Sequence, residues 1–387
     1  MPGINAAPRL RILLLTRSYP SDGDLYQYPF VHRRVLAYRA AGHDVLVFRQ
    51  GEGDAASSHV FDSVECRTGG PLALDTAAAE FQPEVIAAHG FCEPMWPLLK
   101  GVVGKVPVRA WLHGSEIPAF FRKKAERIAD PAARKHALAA VEQRRSFWRN
   151  FLGGIPDRFG LVFVSNSAVA LMREDVGTLI DGADVSVIPN PIDTDLFAYR
   201  AKIPDDRFAV LSIRPFDSPT YGNDMTVAAI RNLARRDGFE RMRFTIIGDG
   251  PLFEETLAPL AGLGNVAVDR RFIDQREIAA QHASHGIFLV PTRLDTQGVS
   301  RDEAMASGLV PVTNAVSAVP EFVDDCCAAL APADDSEALA DAIWAMVADP
   351  RLFLSRSVAA AERVRRQSGD DQVIPAELAV LSEAARE

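Results

Sequence analysis

The 387-residue sequence predicts an α/β protein built from two doubly wound domains. Three observations carry that prediction. Short, continuous apolar runs alternate with helix-like stretches along the chain. Polar residues stand where the apolar runs stop. The length exceeds what one core fills, since domains cluster near about 100–200 residues. A run that is apolar at every position suits a parallel strand covered on both faces. Parallel neighbours in turn require helical crossovers, which are right-handed.

In the first half, Ile12-Leu13-Leu14-Leu15 reads as a strand, broken by the turn residues Ser18-Tyr19-Pro20-Ser21-Asp22-Gly23-Asp24. Phe30 to Ala41 reads as a helix ended by Gly42, and Asp44 to Phe48 as the next strand. Further strands follow at Glu84–Ala88, ending on His89-Gly90, and at Val108–Leu112, ending on His113-Gly114. Leu161–Val164 and Val185–Ile188 complete the series, the latter followed by Pro189-Asn190-Pro191. A second series begins near Phe208, with strands at Ala209–Ile213, Phe244–Ile247, Ile287–Val290 and Val310–Val312. Past Asp349-Pro350 the pattern is helical to Glu387. The expected division is residues 1–198, residues 199–365 and a helical tail, 366–387, packing back on the first domain.

Bulk properties narrow the function. A hydrophobic fraction of 48% and a charged fraction of 24% are those of a globular chain. The net charge of −9 disfavours a nucleic-acid partner. Cys66, Cys92, Cys326 and Cys327 show no paired zinc spacing and read as reduced thiols of a cytoplasmic protein. The first ten residues lack the apolar core of a signal peptide. No run reaches the roughly 18 apolar residues of a membrane span. Residues 120–150 form an expected long helix rich in Arg and Lys. It reads either as a peripheral contact with the anionic inner membrane surface or a phosphorylated acceptor, or as a solvated face balanced by Glu126, Asp130 and Glu142.

The densest chemistry lies between Pro291 and Gly308. A strand ends at Val290, and a loop containing Asp295, Gln297 and Gly298 leads into a helix containing Glu303. Gly298 permits close backbone approach to a ligand. The amides of Val299, Ser300 and Arg301 then open a helix whose dipole favours a phosphate. Carboxylates at Asp295 and Glu303 suit sugar hydroxyls, which donate charge-assisted hydrogen bonds.

This segment resembles the signature of family 4 retaining glycosyltransferases of the GT-B fold: an acid, seven residues, a Glu, then Ala-Met-Ala-x-Gly and Pro-Val. The matching residues are Asp295, Glu303-Ala304-Met305-Ala306-Ser307-Gly308 and Pro311-Val312, with Asp295 where Glu is usual. The resemblance implies two Rossmann-like domains facing each other across a cleft. It implies that Asp295 and the amides of Gly298, Val299 and Ser300 hold the donor sugar and its phosphate, and that Glu303 holds the ribose. Pro189 to Phe197, with Asn190, is similar to the family's interdomain element, and Gly248-Asp249-Gly250 to its strand-end turn. Arg214 matches an Arg that clamps the donor diphosphate. The Lys that accompanies it in the family is absent, with Thr220 or Tyr221 near its place, which leaves Arg293, Arg301, Arg270 or Arg271 to supply the charge. The base would sit near Arg271-Phe272-Ile273. His113-Gly114-Ser115-Glu116 is similar to the family's His-Gly-x-acid turn beside the reacting centre, and the Tyr19 to Gly23 loop to its closing first loop. Arg33 and Arg34 are expected to face solvent.

The implied activity is metal-independent, retaining transfer of a hexosyl-type sugar from a nucleoside-diphosphate sugar to a glycan or lipid-linked hydroxyl, in bacterial polysaccharide or glycoconjugate synthesis. His113, Arg214, Asp295 and Glu303 would carry it, with no cofactor and no metal. The alternatives are a non-catalytic sugar-nucleotide-binding module and a sugar-nucleotide epimerase of the same architecture.

Overall fold

The structure, a computed structural model, describes residues 9–22, 24, 27–51, 53 and 55–387. The chain divides into two compact units: residues up to Arg122 with Leu138–Ile188 and Ile374–Glu387, and Lys123–Ala137 with Pro189–Val373.

The first unit holds β1 (Arg11–Thr16), β2 (Asp44–Gln50), β3 (Ser57–Phe61), β4 (Val64–Gly69), β5 (Val85–His89), β6 (Val108–Leu112), β7 (Phe159–Phe163) and β8 (Asp184–Val187). Their order in the sheet is β3-β4-β2-β1-β5-β6-β7-β8. The central strands are parallel, with Leu13 beside both Leu46 and Ile86. Their apolar runs are buried on both faces, as the continuous patterning requires. The edge strand β3 is antiparallel to β4. Asp62 and Ser63 join them with φ of 44° and 61°, the backbone of a two-residue hairpin whose twist matches its strands. Phe91 anchors an aromatic cluster with Trp148, Phe151 and Phe159 beneath the sheet. Burying each such side chain contributes about 1.5–3 kcal/mol.

The second unit holds β9 (Ala209–Ile213), β10 (Arg243–Gly248), β11 (Val266–Arg270), β12 (Ile287–Leu289), β13 (Val310–Asn314) and β14 (Ala329–Ala331). They pair in parallel in the order β11-β10-β9-β12-β13-β14. The helices Asn223–Leu233 and Ser336–Ala348 bury Ile230, Leu233, Leu339 and Ile343 in its core.

Two expectations are corrected. The stretch 120–150 is two helices, Pro118–Ala125 and Pro131–Leu152, because Pro131 starts a new helix rather than continuing one. Much of its charge is spent locally: Arg122 pairs with Glu174, Arg145 with Glu142 and Asp175, and Arg134 Nε donates to the Ile128 carbonyl. Arg34 does not face solvent. It is fully buried, its Nε donating to Glu377 Oε1 at 2.9 Å, while Tyr38 Oη donates to Glu377 Oε2 at 2.6 Å. Arg33 is half-buried. Among the described residues, no helix is long and apolar enough to cross a membrane.

Candidate functional site

In each sheet the chain leaves the first strand in one direction and later returns on its other side. The switch points fall between β1 and β5 and between β9 and β12. Open α/β sheets bind ligands outside the carboxyl ends of strands at such points. Most of the residues singled out in the sequence stand at these ends.

In the second unit, the strand order sets Arg271-Phe272, Gly248, Arg214 and the loop from Pro291 side by side after β11, β10, β9 and β12. Arg214 follows β9 directly and its amide donates to the Ile247 carbonyl at 3.1 Å. Its side chain is buried. Nη1 donates to Ser300 Oγ at 3.3 Å, the guanidinium lies 5.0 Å from the centre of the Tyr221 ring, and buried Nε has no hydrogen-bond partner among the described residues. Burial lowers the pKa of Arg214, Asp295 and Tyr221 oppose that shift, and Arg301 adds to it. An arginine nevertheless stays charged. A charged, desolvated donor held by one hydroxyl is a preformed place for an anion.

The glycines shape this place. A Cβ on Gly248 would sit 1.9 Å from the Arg214 carbonyl oxygen, so only glycine lets the β10 turn close against the Arg214 backbone. Gly298, at φ 101°, begins the helix Val299–Ala306, which has no side-chain cap. Its first amides are therefore open to a ligand.

Beneath this helix start lies a buried relay. Gln297 accepts from the Asn190 amide at 2.6 Å and donates to the Asn190 carbonyl and to Asp302 Oδ2, each at 3.1 Å. Asp302 Oδ1 receives Arg301 Nε at 2.9 Å and Nη2 at 2.6 Å. Burial raises the Asp302 pKa, and Arg301 and Gln297 pull it back. Gln297 and Arg301 thus serve each other and the backbone, holding the loop in shape. Asp295 Oδ1 accepts from the Gln297 amide at 3.2 Å. Glu303 is buried on the same helix, where its carbonyl accepts from Ser307.

Of the arginines considered as a second positive charge, three are committed elsewhere. Arg293 is bidentate to Asp224, at 2.8 and 2.7 Å, and also holds Asp334. Arg270 pairs with Asp249 and Glu254, and Arg271 with Asp269 and Glu277. Arg301 is within electrostatic range of Arg214, its charge offset by Asp302. Phe272 is 55% exposed beside Arg271. Gly23 lies outside the described residues.

In the first unit, His89 and His113 end adjacent strands. Their rings stack at 5.5 Å, with His89 Nδ1 3.2 Å from His113 Nε2. His89 is fully buried against Trp111, and burial, with Arg34 and His113 as lesser causes, drives its pKa well down. A neutral His89 leaves His113 a fixed hydrogen-bond partner. Glu116 shapes the following turn, taking the amides of His113 and Gly114 on Oε2, each at 2.9 Å, and Ser115 Oγ on Oε1. Sequence order hinted at the histidine pair, since both follow neighbouring strands. Nothing local announced the Gln297 relay, whose partners are 107 residues apart.

Known proteins resemble this chain in sequence and fold. A family model described as Glycosyltransferase Family 4 matches residues 30–196, and one described as Glycosyl transferases group 1 matches residues 207–349. A D-inositol 3-phosphate glycosyltransferase of Xylanimonas cellulosilytica is 27% identical over 253 residues, 58% of this chain and 59% of that protein. A phosphatidyl-myo-inositol mannosyltransferase of Mycolicibacterium smegmatis is 29% identical over 193 residues, 48% of each chain. The matched region thus spans about half to three-fifths of these curated relatives. Among solved structures, sucrose-phosphate synthase from Thermosynechococcus elongatus superposes with a TM-score of 0.73 at 19% identity, covering 97% of this chain and 99% of that one. HepE from Anabaena, in complex with UDP and glucose, gives 0.69 at 14% identity over 97% and 100%. The fold they share is GT-B. With one family model on each half of its length and this fold throughout, the chain belongs to the family 4 glycosyltransferases, the glycosyl transferases of group 1.

Proposed function

We propose that the chain is a metal-independent retaining glycosyltransferase, moving a hexosyl-type sugar from a nucleoside-diphosphate sugar to a hydroxyl of a glycan or lipid-linked acceptor. The observation that carries this reading is Arg214, a buried guanidinium with an unpartnered Nε beside the uncapped start of the helix Val299–Ala306. Departure of the diphosphate places negative charge there, and donors fixed in advance stabilise a transition state most effectively. The amides of Gly298, Val299 and Ser300 take the phosphate oxygens, Asp295 a sugar hydroxyl and Glu303 the ribose. Phe272 offers an exposed ring for the base. Asn190, Gln297 and Arg301 hold the loop. His113, backed by His89, orients the acceptor hydroxyl, which attacks the anomeric carbon on the face the diphosphate leaves. The UDP and UDP-glucose complexes of HepE and the inositol-directed names of the curated relatives agree with this class of donor and acceptor.

In this reading the enzyme is cytoplasmic, in bacterial polysaccharide or glycoconjugate synthesis, and the 122–149 stretch makes a peripheral contact with the inner membrane surface. Its test is a panel of uridine, guanosine and adenosine diphosphate sugars scored by thermal shift. A ligand at 100 times its dissociation constant adds about 2.7 kcal/mol to stability. Silence across the panel contradicts the reading. Stabilisation without transfer to any acceptor points to the non-catalytic module, and conversion of the donor sugar without acceptor points to the epimerase.

A further inference from the structure

The switch point between β1 and β5 carries a feature that the histidine pair does not use. A cavity of about 170 Å3 opens there, lined by Arg17 after β1, by Cys92 and Glu93 after β5, by Glu116 after β6, and by Gln143 and Arg144 of the helix Pro131–Leu152. All of these residues belong to the first unit. A Cβ on Gly90 would meet Glu116 Oε1 at 3.5 Å and Arg17 Cδ at 3.8 Å, so the wall packs directly on the turn after His89.

Among the described residues, neither arginine of this cavity forms an ion pair. Among the described residues, Arg17 makes no hydrogen bond or ion pair. Arg144 has no carboxylate partner: its guanidinium lies 4.2 Å from the centre of the Phe121 ring and donates to the Ser115 carbonyl at 3.4 Å. Glu116 is occupied by its three donors. Glu93 lines the cavity as a carboxylate, and with Gln143 it suits ring hydroxyls rather than an anion. Arg17 and Arg144 approach from different elements yet act on one point: burial pushes the Cys92 thiol up, Glu116 adds to that, and both arginines pull it back. Two planar forks lining one concave site match a phosphate ester, whose several acceptor oxygens can take both forks, better than a carboxylate, which takes one fork.

We propose that this cavity binds the phosphate ester of a sugar or cyclic-polyol acceptor through Arg17 and Arg144, setting a ring hydroxyl beside His113. The word acceptor rests on the transferase reading; the phosphate site does not.

Calorimetric titration of the full chain tests it, with glucose 6-phosphate as the soluble probe, glucose as the neutral control and inorganic phosphate as competitor. Phosphatidylinositol vesicles in phosphatidylcholine, against phosphatidylcholine alone, form the lipid arm. Glucose 6-phosphate or the inositol vesicles bind, the neutral control does not, and phosphate competes. Arg17→Gln and Arg144→Gln each weaken that binding about tenfold or more, while nucleotide binding persists in Arg17→Gln. Which arm responds distinguishes a free ester from a lipid headgroup. Binding unchanged in the double variant, or no preference for the charged probes in either arm, overturns the site. Arginine-dependent binding of a charged probe with no nucleotide bound leaves the site standing and removes the donor reading instead.

Discussion

The two sheets end in equivalent places and treat charge differently. Around the second sheet's strand ends, arginines are spent on neighbours: Arg293 on Asp224 and Asp334, Arg270 on Asp249 and Glu254, Arg271 on Asp269 and Glu277, Arg301 on Asp302. Arg214 alone among them keeps a buried, unpartnered nitrogen. At the first sheet's switch point, Arg17 and Arg144 have no carboxylate partner among the described residues. A count of basic residues would rank the second region as the stronger anion site. The pairings show that availability, not number, marks where a ligand's charge is to be met.

Substitutions at four positions break or sharpen this contrast. The largest effect belongs to Glu377→Ala, which removes the buried carboxylate that Arg34 Nε and Tyr38 Oη donate to. Breaking a buried pair from one side costs about 3–5 kcal/mol. Denaturant unfolding reads it, and a loss under about 1 kcal/mol would show that Arg34 finds another partner. Next, Gln297→Ala removes the hydrogen bonds that Gln297 makes to the Asn190 amide and carbonyl and to Asp302 Oδ2. A loss of about 2–3 kcal/mol is expected, with weaker nucleotide binding. Unchanged stability would mean that the relay does not hold the loop.

A smaller effect is pH-dependent. Burial takes the His282 pKa from 6.5 to about 3. As pH falls below 6.5 the unfolded chain protonates first. The stability contribution is therefore full above that value and lost toward pH 3, at about 1.4 kcal/mol per pH unit. His282→Gln should flatten the pH profile of the melting temperature by that slope between pH 6 and 4. An identical profile would contradict it. The smallest effect is at Tyr221, whose ring lies 5.0 Å from the Arg214 guanidinium. Tyr221→Phe should alter donor affinity by under about threefold and Tyr221→Ala by more, since the ring face supplies about 0.5–1 kcal/mol. A large loss in the Phe variant would assign the hydroxyl a direct role.

Much of this was legible in the sequence because it is local. Ile12–Leu15 and Val108–Leu112 announce buried parallel strands by being apolar throughout, and the Gly298 to Gly308 segment announces a helix start with room for a ligand. Strands β3, β4, β11 and β14 carry no such signal: Ser57–Phe61 and Val266–Arg270 lie at sheet edges, where half-exposed sequences suffice, Val64–Gly69 mixes polar residues into its run, and Ala329–Ala331 is three residues long. Arg34 was misjudged because its partner is 343 residues away. The same limit hid the Gln297 relay and the meeting of Arg17 with Arg144. Single-residue chemistry suggests a role, and tertiary pairing decides whether the group is free to perform it.

The most direct test of the donor assignment is titration of uridine, guanosine and adenosine diphosphates into the native chain and into Arg214→Ala, with folding checked by circular dichroism. At least one nucleotide should bind the native chain and lose about tenfold or more in affinity in the variant. Equal affinity in both proteins, or no binding to the native chain, would contradict the placement of the diphosphate on Arg214.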